Sequence, residues 1–331
     1  MLRRLFLAAT LTAGLSLSAS ARAAEIDTLL PSETESVIFL NVKQILASDI
    51  VKKYALGQLK QMIESNEDAQ RMLKDLGIDP MKDIDQVTAG TWGKDKDDVN
   101  VVAIVRGKFD PTKLMAAAEK EAKTNGDKVA VVNEGKFKLI KFTNEKSPKP
   151  FYASAADETT IVAGTDKKLV ANALTAAAAA EKTKPAVKKE LAQLLLKMDE
   201  KASMYTCGVV DGSKLGEIPP NIPGVDAAEL AKQLQKMTNL SFTVRITDEF
   251  SMDGVAGMKD GDAADDLGET LNKLIGQLKG FLPLVSMQQP KFKTLADEVG
   301  KTLKSKVKDK EVSLSLKISA DSIDKATGGN D

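Results

Sequence analysis

The sequence predicts an α+β fold of two related halves, each an antiparallel sheet in the ferredoxin-like split β-α-β order and covered by helices on one face. Three observations predict it. Short apolar runs with β-branched members, such as residues 37–42 (VIFLNV) and 100–105 (NVVAIV), alternate with longer segments whose apolar residues recur at helical spacing. A strand, an acidic residue and an Ala/Leu-rich helix follow one another at several places along the chain. The order strand, helix, strand, strand, helix, strand opens the first half and returns in the second.

Residues 37–42 read as the first strand. A helix follows, with Leu46, Ile50, Tyr54, Leu59, Met62 and Ile63 roughly on one face. A second short helix holds Ala69, Met72, Leu73 and Leu76, with Gly77 as its C-cap, and Asp79-Pro80 then turns the chain. Residues 84–92 and 100–105 are consecutive strands joined by a turn at 93–98. The strand–acid–helix pattern starts at Asn100, Thr159, Ser251 and Val312. In it Asp110, Asp166, Asp262 and Asp321 stand where N-cap or first-turn carboxylates belong. Hairpin strands at 129–133 and 136–142 lie between the first two copies.

Residues 176–201 divide the chain, so the predicted halves are 24–200 and 201–331. The second half reads as strand 203–210, helix 227–237, strands 240–247 and 250–258, a long helix from 263 to about 282, a helix at 292–307 and a strand at 312–318. Pairing of the two sheets into one is open to such an arrangement.

The N-terminus carries an address. Arg3 and Arg4 precede an apolar stretch over residues 5–19, and Ala21-Arg22-Ala23 fits the small-x-small cleavage rule. Residues 1–23 are therefore expected to be a cleavable signal peptide, cut after Ala23, with Ala21 the second choice. A retained anchor needs roughly 20 predominantly apolar residues, and this stretch is shorter and more polar. Arg3-Arg4 loosely matches a twin-arginine signal, but nothing downstream suggests a cofactor loaded before export, so ordinary Sec export is expected. The expected compartment is periplasmic or secreted, with no transmembrane segment after cleavage.

Composition excludes several chemistries. The chain holds 47 basic and 47 acidic side chains; the signal takes Arg3, Arg4 and Arg22, so the mature protein carries a net charge of −3. Such a balance lacks the basic field that nucleic-acid binding needs. Only Arg71, Arg106 and Arg245 remain after cleavage, and bidentate anion recognition favours the Arg fork. There is no histidine, which removes Ser-His-Asp and Cys-His catalysis and imidazole metal sites. The single Cys207 lies in a strand-like run, residues 204–210, and is expected to be a buried, inert thiol. Trp92 is the one tryptophan, which disfavours an aromatic sugar-binding platform.

Asp95, Asp97 and Asp98, and Asp260, Asp262, Asp265 and Asp266, resemble cation loops. Neither group has the sixth-position Gly and closing Glu of an EF-hand, so turn and helix-start roles explain them better. Ser305-x-x-Lys308 and Ser322-x-x-Lys325 share the Ser-x-x-Lys spacing of penicillin-recognising enzymes, but the companion Ser-Asp-Asn and Lys-Thr-Gly motifs are absent. Gly261, Gly268, Gly276 and Gly280 do not form a dinucleotide fingerprint and are read as sites of close helix packing. The stripes Leu267, Leu271, Leu274, Ile275, Leu278, Leu282 and Phe292, Leu295, Val299, Leu303, Val307 are read as core; the alternative is a groove for an apolar ligand or a partner's helix. No catalytic, cofactor-binding or metal-ligating residue is assigned, and no cofactor is expected.

Several features together carry a resemblance. They are the export signal, Leu30-Pro31-Ser32-Glu33-Thr34 before a strand, residues 41–46 (NVKQIL), 76–84 (LGIDPMKDI) and 105–111 (VRGKFDP). The chain resembles uncharacterised exported bacterial proteins of the planctomycete type, over most of the first half and more weakly in the second. That likeness implies a compartment and no mechanism. The expected function is a non-enzymatic envelope or secreted protein with an interaction or scaffolding role, its partner an unidentified envelope or extracellular protein. One alternative is a carrier of apolar small molecules in a cavity between helices and sheet. The other is a hydrolase built on carboxylates or a Ser/Lys pair.

Overall fold

The structure is a computed structural model. It describes residues 24–65, 70, 73–74, 76–93, 98–143, 149–179, 185–214 and 226–328. The expected signal peptide over 1–23, the turn residues Asp95 and Asp97, and Arg71 lie outside the described residues, as do Ala69 and Met72 of the expected short helix.

The strands are β1 (Ser36–Leu40), β2 (Ile84–Trp92), β3 (Asn100–Gly107), β4 (Val129–Glu134), β5 (Phe137–Phe142), β6 (Phe151–Asp157), β7 (Thr160–Gly164), β8 (Met204–Val209), β9 (Met237–Ile246), β10 (Glu249–Met258), β11 (Lys304–Lys308) and β12 (Glu311–Ser319). The helices are α1 (Val42–Ala47), α2 (Leu56–Glu64), α3 (Pro111–Thr124), α4 (Lys167–Ala177), α5 (Lys189–Leu195), α6 (Ala227–Leu234), α7 (Gly261–Gln288), α8 (Lys293–Thr302) and α9 (Ala320–Thr327). A π-helical turn, Val51–Ala55, joins α1 to α2.

The twelve strands among the described residues form one antiparallel sheet in the order β11-β12-β10-β9-β8-β1-β2-β3-β7-β6-β5-β4. The split β-α-β order is not what is seen. In that unit the strands flanking a helix are parallel and another strand lies between them, whereas β8 and β9 flank α6 and are antiparallel neighbours. Chain order is kept from β8 through β10, with a connection carrying α6 between β8 and β9 and a tight turn between β9 and β10.

Register sorts the side chains onto two faces. Val37 stands opposite Gly90 and Cys207, and Phe39 opposite Thr88 and Tyr205. The same face continues through Val102 and Ile104 to Val162. It is closed by α4, α5 and residues 24–30, and its core includes Leu30, Leu139, Val170, Leu174, Leu191 and Leu195. Further along the sheet, that face becomes polar, with Ser241, Thr243, Asp253 and Ser315. There the opposite face takes over, and Ala256, Met258 and Val312 pack under Ala263, Ala264 and Leu267 of α7. A third cluster, Ala118, Val129 and Ile140, sets α3 on that opposite face at the far edge. Helical cover therefore lies on both faces of the first half, not on one.

The N-terminal signals work as expected. Asp110 accepts hydrogen bonds from the Thr112 and Lys113 N–H groups, and Asp166 from Lys168 and Leu169. Asp260 caps α7 and Ser319 caps α9, leaving Asp262 and Asp321 in the first turns. Two strands depart from expectation. β6 was not foreseen, and β11 occupies residues read as helix.

Candidate functional site

One end of the sheet is hollowed into a cleft of about 940 Å³. Its floor comes from strand ends: Phe39 of β1, Gln86 and Thr88 of β2, Arg106 of β3, Thr160 of β7 and Tyr205 of β8. Residues 24–29 cross one side. Ala176 and Ala177, at the end of α4, form another, and Asn41 and Gln44, at the start of α1, a third.

Arg106 closes an otherwise apolar strand. Its Nη2 donates to Asp27 Oδ2 at 2.9 Å and its Nη1 to Thr160 Oγ1 at 3.4 Å. Asp27 Oδ1 also accepts from the Leu29 N–H at 3.0 Å, so the carboxylate ties the N-terminal segment to β3. Its side chain is 10% exposed against 44% for Arg106, leaving one edge of the guanidinium open to the cleft.

Tyr205 is 3% exposed and stacks on Phe39 with ring centroids 4.7 Å apart. Burial, with the nearby Cys207 and Asp27, raises its phenol above the ordinary range, so the hydroxyl stays protonated. Burial works against the Asp157 carboxylate too. Hydrogen bonds from the Thr159 hydroxyl and N–H (both 2.7 Å) and from Thr160, with the Arg106 charge, outweigh it and hold Asp157 below the usual carboxylate range. Gln44 spends its Nε2 on the Ile246 carbonyl at 2.8 Å, while its buried Oε1 has no hydrogen-bond partner.

The acidic groups singled out in the sequence do other work. Asp98 pairs with Lys149, Asp260 is the α7 cap and Asp266 pairs with Lys236. Ser305 and Lys308 are three apart on strand β11, so they point to opposite faces and cannot converge. Ser305 donates to Asn272 instead. Ser322 is buried beside Ser319, while Lys325 pairs with Asp321 on the surface. Cys207 is buried at 1% exposed, with its thiol pushed up to about 12 by burial. Of the glycines, Gly268 faces β11: a Cβ there would lie 2.2 Å from Val307 Cγ2. Gly276 and Gly280 have nothing within 4 Å of that position, so close packing does not account for them.

The cleft residues Asp27, Arg106, Asp157 and Tyr205 were not singled out as a site. The one available signal was Arg106 itself, a rare arginine at the end of the apolar run NVVAIV.

No family model and no curated protein matches the chain. Among solved structures, crystal form III of TP0453 is similar over 93% of this chain and 99% of that one, at 7% sequence identity and a TM-score of 0.47. At that level nothing of its role passes to this protein.

Proposed function

We propose that the chain is an exported, non-enzymatic binding protein whose cleft holds a small neutral or cationic organic molecule with an apolar part. The observation that carries this reading is the mixed floor of the cleft. The Phe39–Tyr205 stack and Ala176 and Ala177 offer an apolar seat, while the open edge of Arg106 and the Tyr205 hydroxyl offer a few fixed polar contacts. The lining charges are Glu25, Asp27, Asp157 and Glu200 against Arg106 and Lys201, a balance that disfavours an anion. The non-enzymatic reading draws support from Asp157, whose depressed pKa is the reverse of what a general acid needs, and from the divergent Ser305/Lys308 pair.

We also infer that the halves meeting near residue 200 are related. Outward from the β1–β8 ladder, the strands run β1-β2-β3-β7-β6 in one direction and β8-β9-β10-β12-β11 in the other. The helices α3 and α7 follow equivalent strands, open on Asp110 and Asp260 caps, and cover the same face.

Protein purified from the exported fraction tests the binding reading. Native mass spectrometry is expected to show an organic adduct that is lost on denaturation. Nile red, a neutral amphiphile, is expected to gain fluorescence with the wild type. Ala177→Phe, which narrows the mouth, is expected to weaken that binding by at least about tenfold. No adduct, together with identical dye binding by wild type and variant, sinks the proposal.

A further inference from the structure

The first turns of α7 are under cover: Ala263, Ala264, Leu267 and Gly268 are buried against the sheet, and Asn272 accepts a hydrogen bond from Ser305 of the edge strand β11. Beyond this edge the helix continues for about 20 Å at 1.5 Å per residue. Leu282 packs toward Gly300 of α8, which returns antiparallel. Much of the remaining surface of this stretch is exposed among the described residues. Phe281 is 58% exposed, Leu284 54% and Met287 79%, with Leu278 and Val285 also open. These five are among only eleven exposed large hydrophobic side chains in the described residues, so the concentration is local. At 100° per residue, Leu278, Val285, Phe281 and Leu284 fall within an arc of about 120° that also holds Gln277, and Lys273 lies about 20° beyond Leu284.

The charge around this tip is equally one-sided. In a chain with equal numbers of acids and bases, residues 270–296 contain no Asp or Glu and carry Lys273, Lys279, Lys291 and Lys293. None of the four is ion-paired among the described residues. An exposed apolar arc in a segment whose charges are all lysine is complementary to a surface that is anionic above and hydrocarbon below. Pro283 sets the depth. It has no N–H, so the Lys279 carbonyl lacks its helical partner, which is tolerable at the headgroup boundary and costly in the hydrocarbon centre. No described helix is long and apolar enough to cross a membrane.

We propose that the tip of the α7–α8 hairpin is a membrane-docking element that lays the Leu278–Phe281–Val285 arc into the surface of an anionic bilayer. This is independent of the cleft, which lies at another part of the sheet.

Vesicle flotation of the protein purified from the exported fraction tests it. The wild type is expected to float with vesicles of equal parts phosphatidylglycerol and phosphatidylcholine, less so at high salt, and only weakly with phosphatidylcholine alone. Phe281→Ser with Leu284→Ser is expected to lower partitioning at least about tenfold. Lys279→Gln, Lys291→Gln and Lys293→Gln together are expected to remove the preference for anionic lipid, a loss on the order of a hundredfold. Both sets alter side chains that are exposed or, for Lys279, half-buried, so thermal midpoints should hold, and Met62→Ser, an exposed apolar residue on α2, should float as the wild type does. Failure of the wild type to float overturns the proposal. So does undiminished flotation of both variant sets, which would place binding elsewhere, for instance in a retained leader. Sedimentation showing a dimer broken by the Phe281/Leu284 change, without vesicle binding, overturns it in favour of a second copy of the chain.

Discussion

Cys207 and Asp157 show opposite effects of environment on single ionisable groups. Cys207 faces the core between Val37 and Ser241 and has nothing to stabilise a thiolate, so burial alone raises its pKa. A thiol probe should therefore label the native protein slowly and the unfolded protein fast. Cys207→Ser should cost about 1–3 kcal/mol, read from denaturant melts, because a hydroxyl replaces sulfur in an apolar site. Asp157 is held the other way, because hydrogen bonds to its charged form exceed the cost of burial. Its folded pKa lies below the unfolded value, so its contribution is fully present above the unfolded pKa and is lost as pH falls through the depressed folded one. Carboxyl NMR should place its midpoint below 3.8, the ordinary value for an aspartate. A midpoint above that would mean the Thr159 and Thr160 hydrogen bonds do not form. The burial of Cys207 was legible in its run of neighbours. Asp157 was not, because its partners come from the β6–β7 turn and from β3.

At the scale of the element, α7 contains both kinds of glycine. Gly268→Ala should destabilise by about 1–3 kcal/mol, since the added methyl meets the stiff Val307 side chain. Gly276→Ala, in an open part of the same helix, should stabilise by up to about 1 kcal/mol through helix propensity. Thermal melts of the two variants check the pair, and shifts of the same sign would contradict the packing described. The misreading of β11 has a similar lesson. Phe292, Leu295, Val299 and Leu303 do recur at helical spacing, and Val307 continues the series. Yet Lys304-Ser305-Lys306-Val307-Lys308 also alternates at period two, and pairing with β12 selects that second period. Its lysines lie on the polar face of an edge strand, where they oppose further pairing. β6 was missed because Phe151–Asp157 is rich in alanine, which signals a strand poorly.

Across the whole molecule, the line drawn at residue 200 does not separate two cores. Tyr205 and Cys207 of β8 belong to the same buried cluster as Val37, Ile104 and Leu191, and β1 pairs with β8 along its length. Lys53 and Tyr54, between α1 and α2, also reach Asp324 of α9. Denaturant unfolding should therefore follow one transition, with far-ultraviolet circular dichroism and Trp92 fluorescence coincident. Two separated transitions would mean that the β1–β8 ladder contributes little.

The sequence alone determined the α+β class, most strand positions, the helix starts at Asp110 and Asp166 and the burial of Cys207. These rest on local rules: alternation, helical period, capping and the packing preference of neighbours. Only the tertiary structure decided that twelve strands join in one sheet, that helical cover changes face along it, and that Asp27, Arg106, Asp157 and Tyr205 share a cleft. Those residues are up to 178 positions apart, from Asp27 to Tyr205. Their proximity follows from strand order, and strand order is set by long-range burial that no local pattern encodes.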